Sequence, residues 1–168
     1  MAGLAGNSKD VAITKDNALE EFKEGIMTIQ DAGYDGKLVA HVTFEVMNAL
    51  ELRMANQLGS VTFAVNGVDT TFRSIDGVAL IPTQSRRMFE KAEKTGKVYK
   101  GAGKALNFLI AGQEIPLGIV KHAPARTFTP EQNQEADAYV INYRLYHDLF
   151  LEDNKVDAVY ACFKPSGE

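Results

Sequence analysis

The stretch from Ala136 to Phe150 constrains the fold more than any other part of this sequence. Its large apolar and aromatic residues alternate with polar ones, which is the period-2 pattern of a β-strand. The tyrosines at 139, 143 and 146 also fit helical spacing together with Phe150, so a helix over 136–150 stays open as an alternative. A strand of about 13 residues would far exceed the usual five or six. We therefore predict a long strand that runs beyond one compact sheet, with 156–163 returning as its antiparallel partner after a turn at Asp153-Asn154.

The first half of the chain combines helical and strand patterns, which predicts an α+β fold. Thr14 is a predicted N-cap for a helix whose apolar face runs from Leu19 to Ile29 and which ends at Gly33. A short apolar strand follows at 38–42, and Thr43 is the predicted cap of a second helix.

The middle of the chain is predicted to be mainly β. The hairpin signal Asn66-Gly67 separates two strand patterns, and Asp76-Gly77 marks a second turn. Further strands are predicted at 78–81, 105–110 and 117–120, whereas 83–104 is predicted to be a loop or a partly helical excursion. The first residues, 1–12, are small and polar and are predicted to be a loose lead-in.

Composition excludes several classes of protein. The net charge of −4 gives no general attraction to nucleic acid or to acidic membranes. No apolar run approaches the length of a membrane helix, and Met1–Asp10 lacks the features of a signal peptide. The one cysteine, Cys162, excludes an internal disulfide and fits a reducing compartment.

One segment departs from this acidic balance. Between Arg86 and Lys104 there are seven basic and two acidic residues, so the segment carries +5 and the rest of the chain −9. Such a segment is most often a solvated loop, but its charge also fits contact with an acidic surface, including another copy of this chain. Nucleic-acid binding is the weaker interpretation, because only Phe89 and Tyr99 lie nearby for base stacking.

No pattern in the sequence indicates an enzyme. The stretch Gly101-Ala102-Gly103-Lys104 lacks the earlier glycine and the following Ser or Thr of a phosphate-binding loop. His41, His122 and His147 are not at metal-binding spacing, and Cys162 lies in an apolar run with no basic neighbour that would activate it. The sequence therefore predicts no catalytic residues, no metal and no cofactor.

Several stretches together resemble the C-terminal portion of tailed-bacteriophage major capsid proteins. The most specific is an ending of the form NQxADA…YRxYHDxF…DNK, and three earlier strand segments resemble those that precede it in the family. The matching residues are Thr71–Pro82, Leu106–Ile110, Gly118–His122, Asn133–Tyr139, Tyr143–Phe150, Asp153–Lys155 and Val159–Tyr160.

The resemblance implies the fold that tailed-phage capsid proteins share with encapsulins. Residues 1–12 would be a flexible lead-in, 13–130 an axial-type α+β domain, and 131–168 the closing β-ribbon of a peripheral-type domain. The family's N-terminal arm, extended loop and spine helix have no counterpart in this sequence, so the fold is expected to be truncated.

The resemblance also implies a function. The chain would be a structural subunit of a bacteriophage or prophage icosahedral capsid, present in the virion and, before assembly, in the host cytoplasm. Its partners would be copies of itself, with scaffold or portal proteins as further candidates, and neither a membrane nor a specific nucleic-acid sequence. The alternatives are an encapsulin-like cellular shell protein and a small nucleic-acid-binding module that uses 86–104. The candidate subunit-interface residues, chosen as large amphipathic or charged side chains, are Arg86, Arg87, Lys91, Lys94, Tyr139, Tyr143, Arg144, Tyr146 and Asp148.

Overall fold

A computed structural model describes residues 7–54, 58–65, 68–96, 98–122, 124–132 and 137–165. The chain forms two units, which we call the sheet unit (Met1–Ile115 with Glu152–Glu168) and the ribbon unit (Pro116–Leu151). The elements in chain order are β1 (Ser8–Asp10), α1 (Ala18–Asp31), β2 (Leu38–Thr43), α2 (Phe44–Met54), β3 (Gly59–Val65), β4 (Val68–Ile75), β5 (Val78–Thr83), β6 (Phe89–Thr95), β7 (Val98–Gly112), β8 (Leu117–His122), β9 (Ala125–Phe128), β10 (Val140–Tyr143), β11 (Tyr146–Phe150) and β12 (Val159–Phe163).

The sheet unit is built on one curled, mixed sheet of eight strands. Its order is β1-β12-β7-β2-β5-β4-β3, and β6 pairs with β7 off this path. The β1–β12 and β2–β5 pairs are parallel, whereas the other neighbours are antiparallel. This architecture confirms the α+β class.

The two predicted helices are present, and their ends follow from local chemistry. Helix α1 begins at Ala18, one turn after the predicted cap Thr14, and a reciprocal capping pair closes that turn: Asn17 Oδ1 accepts the Thr14 N–H at 2.7 Å, and Thr14 Oγ1 accepts the Asn17 N–H at 3.4 Å. Gly33, with φ of 89°, follows its end as predicted. The predicted cap of α2 is confirmed, since Thr43 Oγ1 accepts the Val46 N–H at 3.4 Å.

The main core lies between the helices and the sheet. Phe108 of β7 is fully buried, with its ring centroid 5.4 Å from that of Phe22 in α1 and 6.2 Å from that of Tyr160 in β12. Gly25 permits this packing, because a Cβ at that position would lie 2.8 Å from Tyr160 Cδ1 and 3.0 Å from Ile110 Cδ1. The glycine that lowers the helical propensity of α1 is therefore the residue that lets the helix approach β12.

The N-terminal lead-in is more ordered than its composition indicates. Ser8–Asp10 forms β1, which pairs in parallel with β12 from Ala161 to Phe163. The prediction of a loose segment is therefore wrong for these residues. The edge of β12 supplies the hydrogen-bond partners of β1. The short polar sequence of 8–10 contains no local signal for this pairing.

Residues 83–104 also differ from the prediction. A short 3₁₀ turn at Ser85–Arg87 leads into an antiparallel hairpin of β6 and the first part of β7, with Thr95 opposite Val98. Gly96, with φ of 65°, lies in the connection, where a positive φ suits the tight turn. The prediction of a loop or partly helical excursion was incorrect because the closely spaced lysines suggested a solvated segment. The β-favouring residues Thr95, Val98 and Tyr99 were the signal for the hairpin.

The segment 136–150 is extended, as predicted, but it is not one strand and it does not pair with 156–163. Its described part forms β10 and β11, and their partners are β9 and β8. The ladder is interrupted opposite Pro124, which has no N–H to donate; the Arg144 N–H instead reaches the Pro124 carbonyl at 3.4 Å.

The last strand belongs to the core of the sheet unit. All five residues of β12 are buried, and the strand pairs with β7 and β1. An apolar run that is buried on both faces is typical of an inner strand, which explains why β12 lies between two others. The predicted closing ribbon, made of 136–150 paired with 156–163, is therefore wrong in its pairing.

Candidate assembly surface

The ribbon unit consists of two short antiparallel ladders that follow each other along the same two chain segments. In the first ladder, β8 pairs with β11 and Leu117 lies opposite Phe150; in the second, β9 pairs with β10 and Ala125 lies opposite Tyr143. Segment 117–128 thus pairs with segment 140–150 along its length, apart from the interruption at Pro124.

This ribbon has no core of its own. Every described residue of 116–151 whose burial is defined is exposed or only partly covered. Phe128 and Val140 are partly covered, and the other large apolar and aromatic side chains whose burial is defined are at least 38% exposed: Leu117, Ile119, Val120, Tyr139, Ile141, Tyr143, Leu145, Tyr146, Leu149, Phe150 and Leu151. Exposed apolar side chains this dense are typical of a surface that another polypeptide covers.

Both faces of the β8–β11 ladder are apolar. Residues that lie opposite each other share a face, so Leu117 and Phe150 lie together on one face. Val120 lies opposite His147 on the other face, where Leu149 also points. Val120 and Leu149 are 62% and 68% exposed, and Leu117 and Phe150 are 47% and 49% exposed. A covering partner would therefore have to meet the ribbon from two sides.

The five predicted interface residues of the ribbon unit do not form one cluster. Tyr143 shares a face of β10 with Ile141, whereas Arg144 and Tyr146 line a small depression of about 230 Å³ together with Arg126. Tyr139 precedes β10 and is 70% exposed. The remaining residue is Asp148, whose Oδ1 accepts the N–H of its neighbour Leu149 at 2.8 Å. Exposed tyrosine side chains therefore lie on both faces of the ribbon.

The four predicted basic residues lie in the sheet unit, at the β6–β7 hairpin. Arg86 and Arg87 occupy the 3₁₀ turn, and Lys91 and Lys94 lie on β6 with side chains on opposite faces. All four are exposed. Within the described residues, none of them forms an ion pair.

Charges elsewhere in the sheet unit are more often paired. Lys104, at the base of the same hairpin, forms an ion pair with Asp10 and lies 5.9 Å from the Phe163 ring centroid. Lys9 pairs with Glu21 at 2.9 Å and with Glu24 at 2.7 Å, and these carboxylates raise its pKa. Among the described residues, the hairpin's positive charge without an ion-pair partner therefore includes Arg86, Arg87, Lys91 and Lys94, whereas Lys104 is neutralised by Asp10.

Asn107 is a buried polar residue that sequence reasoning missed. Its Nδ2 donates to the Val11 carbonyl at 2.7 Å and to the Phe163 carbonyl at 3.3 Å, which ties the segment after β1 to β7 and β12. The same amide lies 3.8 Å from Cys162 Sγ. The only sequence signal was an asparagine inside an apolar strand pattern.

The titratable groups of the core indicate structural roles. Burial raises the pKa of the Cys162 thiol to about 11, which keeps it protonated and unreactive near neutral pH. Burial likewise raises the pKa of Tyr160 to about 12. His41 Nδ1 lies 3.1 Å from Thr83 Oγ1, and desolvation lowers the pKa of this imidazole.

The described residues contain neither a metal-binding cluster nor a membrane-spanning helix. Among the described residues, no group of three or more His, Cys, Asp or Glu side chains is arranged to hold a metal ion. No helix in the described ranges is both long and apolar enough to cross a membrane. Neither the models of known protein families nor the curated proteins include a match to this chain.

Proposed function

We propose that this chain is a structural subunit of a tailed-bacteriophage or prophage icosahedral shell, which assembles with copies of itself to enclose a genome. One observation carries the proposal: the ribbon unit exposes apolar side chains on both faces and has no buried described residue.

A two-stranded ribbon with exposed apolar faces is not expected to be stable by itself in water. Two-stranded ladders are marginal in water unless a third strand or another layer covers an apolar face. Burying apolar area stabilises by about 25 cal/mol per Å², and each large aromatic residue carries about 150–250 Å². Contact with neighbouring subunits would therefore supply the free energy that the ribbon lacks.

In a closed shell each subunit contacts several neighbours, so both apolar faces of the ribbon can be covered. Under closed symmetry, each copy both offers the ribbon and supplies the surface that covers a neighbour's ribbon. Tyrosine and arginine, which are enriched at the centres of protein interfaces, are present at Tyr143, Arg144 and Tyr146. We expect these residues to lie at subunit contacts.

The capsid fold is the specific form of this proposal. A compact α+β unit with a ribbon inserted between its last two strands is compatible with an axial-type body and a peripheral-type extension. The stretches that resemble capsid proteins lie in β4–β5, in β7, in β8 and in the β10–β11 segment. An encapsulin-like cellular shell would share this architecture, and neighbouring genes for portal or tail proteins would favour the phage origin.

The proposal is tested by the mass and shape of the purified protein. Light scattering coupled to size exclusion should give assemblies larger than a monomer, and negative-stain microscopy should show rings, sheets or shells. Ile141→Ser with Leu149→Ser should lower the mass, because these side chains are 70% and 68% exposed and would lose apolar contact with a neighbour.

The matched control removes an equally exposed apolar side chain from the sheet unit. Leu52 in α2 is 65% exposed, so Leu52→Ser should leave the mass unchanged. A monomer at all concentrations, with ribbon amides strongly protected from hydrogen exchange, would contradict the proposal, since the ribbon would then be stable without a partner.

A further inference from the structure

We propose that the β6–β7 hairpin binds single-stranded nucleic acid without sequence preference, on the face that carries Phe89 and Tyr99. The proposal goes beyond the assembly function and does not depend on it. It rests on the placement of two aromatic rings among cations that have no ion-pair partner within the described residues.

The two aromatic residues lie on the same face of the hairpin. Gly101 of β7 has no side chain, and the Phe89 ring fills the space above it: a Cβ at Gly101 would lie 2.1 Å from Phe89 Cδ2. Tyr99 is two residues before Gly101 on the same strand, so its side chain points to the same face. Tyr99 is 69% exposed, and Phe89 is half-buried against the glycine. The hairpin thus presents two neighbouring rings to solvent.

Positive charge surrounds these rings. Arg86 and Arg87 line a shallow depression of about 500 Å³ together with Phe89 and Tyr99. Gln84 Oε1 accepts a hydrogen bond from Arg86 Nε at 2.8 Å, which helps to orient that guanidinium. Lys94 lies opposite Tyr99 on the neighbouring strand and therefore on the same face.

The two carboxylates of the hairpin do not cancel this charge. Glu93 lies opposite Lys100 on the other face of the ladder. Glu90 also lines the depression, but its Oε2 accepts the Lys104 N–H at 3.4 Å and lies close to Gly103 at the hairpin base. The lining includes the four cations Arg86, Arg87, Lys91 and Lys100. The face with the rings therefore keeps an excess of cations.

Aromatic rings beside cations are complementary to the bases and phosphates of single-stranded nucleic acid. Unpaired bases stack on aromatic side chains, and phosphates attract arginine and lysine, without reading the sequence. The acidic surface of another protein would satisfy the cations but would offer no planar groups for Phe89 and Tyr99. A duplex would offer phosphates, but its bases are already stacked on one another. The structure therefore favours a single-stranded polyanion over both.

The experiment measures binding of a fluorescent oligothymidine of about 20 nucleotides to the full chain by anisotropy, over a range of salt concentrations. Tyr99→Ala should weaken binding by roughly 5- to 150-fold, which is the fold-change expected for loss of one base-stacking contact. Arg86→Gln with Arg87→Gln should flatten the salt dependence, reducing the slope of log K against log salt by about 1.4 for two lost phosphate contacts.

Matched controls use residues of the same type elsewhere. Phe44→Ala removes an aromatic ring that is 58% exposed in α2, and Lys15→Gln with Lys37→Gln removes two exposed charges outside the hairpin. Both should leave affinity within about twofold.

Three outcomes would overturn the proposal. The first is no binding at low salt. The second is equal binding of a duplex of the same length with no effect of Tyr99→Ala, which would show a purely electrostatic contact. The third is a change of oligomeric state, but not of anisotropy, in the hairpin variants, which would assign this face to an acidic surface of another copy.

Discussion

The sheet unit and the ribbon unit satisfy the same requirement, the removal of apolar side chains from water, in opposite ways. In the sheet unit, Phe22, Phe108 and Ile110 are fully or almost fully buried between helix and sheet. In the ribbon unit, chemically similar side chains such as Ile141, Leu149 and Phe150 are exposed. The contrast teaches that the apolar pattern of a segment determines that it must be covered, but not whether its own chain or another covers it.

The largest difference between the units should appear on truncation of an apolar side chain. Phe108→Ala should lower the free energy of unfolding by about 3–5 kcal/mol, because it opens a cavity beside Phe22 and Tyr160. Leu149→Ala should change it by less than about 0.5 kcal/mol in the monomer, as is usual for exposed positions.

These values are measured by urea unfolding followed by far-UV circular dichroism, because the chain contains no tryptophan. A loss above about 2 kcal/mol for Leu149→Ala at a concentration where the protein is monomeric would break the comparison, since it would require a core in the ribbon.

Replacing a buried amide should have the next largest effect. Asn107→Ala should cost about 1–3 kcal/mol, because it leaves the carbonyls of Val11 and Phe163 without this donor. Asn142→Ala, at an exposed position of β10, is the matched change in the ribbon unit and should cost less than about 0.5 kcal/mol. Equal losses in the two variants, measured in the same urea titration, would refute the role given to Asn107.

The smallest of the three effects concerns glycine. Gly25→Ala should destabilise the protein by up to about 2 kcal/mol, because a clash with Tyr160 that costs about 1–3 kcal/mol outweighs the gain of about 1 kcal/mol in helix propensity. At Gly118 of β8 no atom lies within 4 Å of an added Cβ, so Gly118→Ala should be neutral or slightly stabilising. A rise of the thermal midpoint in both variants would show that packing at Gly25 is looser than the structure indicates.

Sequence alone predicted those elements whose signals are local. The Thr43 cap, the glycine after α1 and the turn at Asp76-Gly77 each depend on neighbouring residues, and the structure contains all three. The predicted hairpin strands around Asn66-Gly67 are also present as β3 and β4, while the turn residues themselves lie outside the described part of the chain.

Features that depend on distant residues were not predictable in the same way. The parallel pairing of Ser8 with Ala161 joins segments more than 150 residues apart, and no local pattern selects it. Pro124 interrupts a ladder with a segment that lies some twenty residues later, so its effect on Arg144 was visible only once the partner strand was known. All nine candidate interface residues are exposed, but their contact with a neighbouring subunit stays a prediction, because it depends on a second chain and not on local pattern.

The position of β12 between β1 and β7 sets the order in which the molecule can be completed during translation. Until Val159–Phe163 has left the ribosome, β7 has a free edge and β1 has no partner in the sheet. The helices and β2–β7 can pair beforehand, because their contacts lie within the part already made. The ribbon segment therefore emerges while the sheet is still open, and closure of the sheet by β12 comes after the ribbon has been synthesised. Nascent chains thus expose the ribbon before β12 has closed the sheet that carries it.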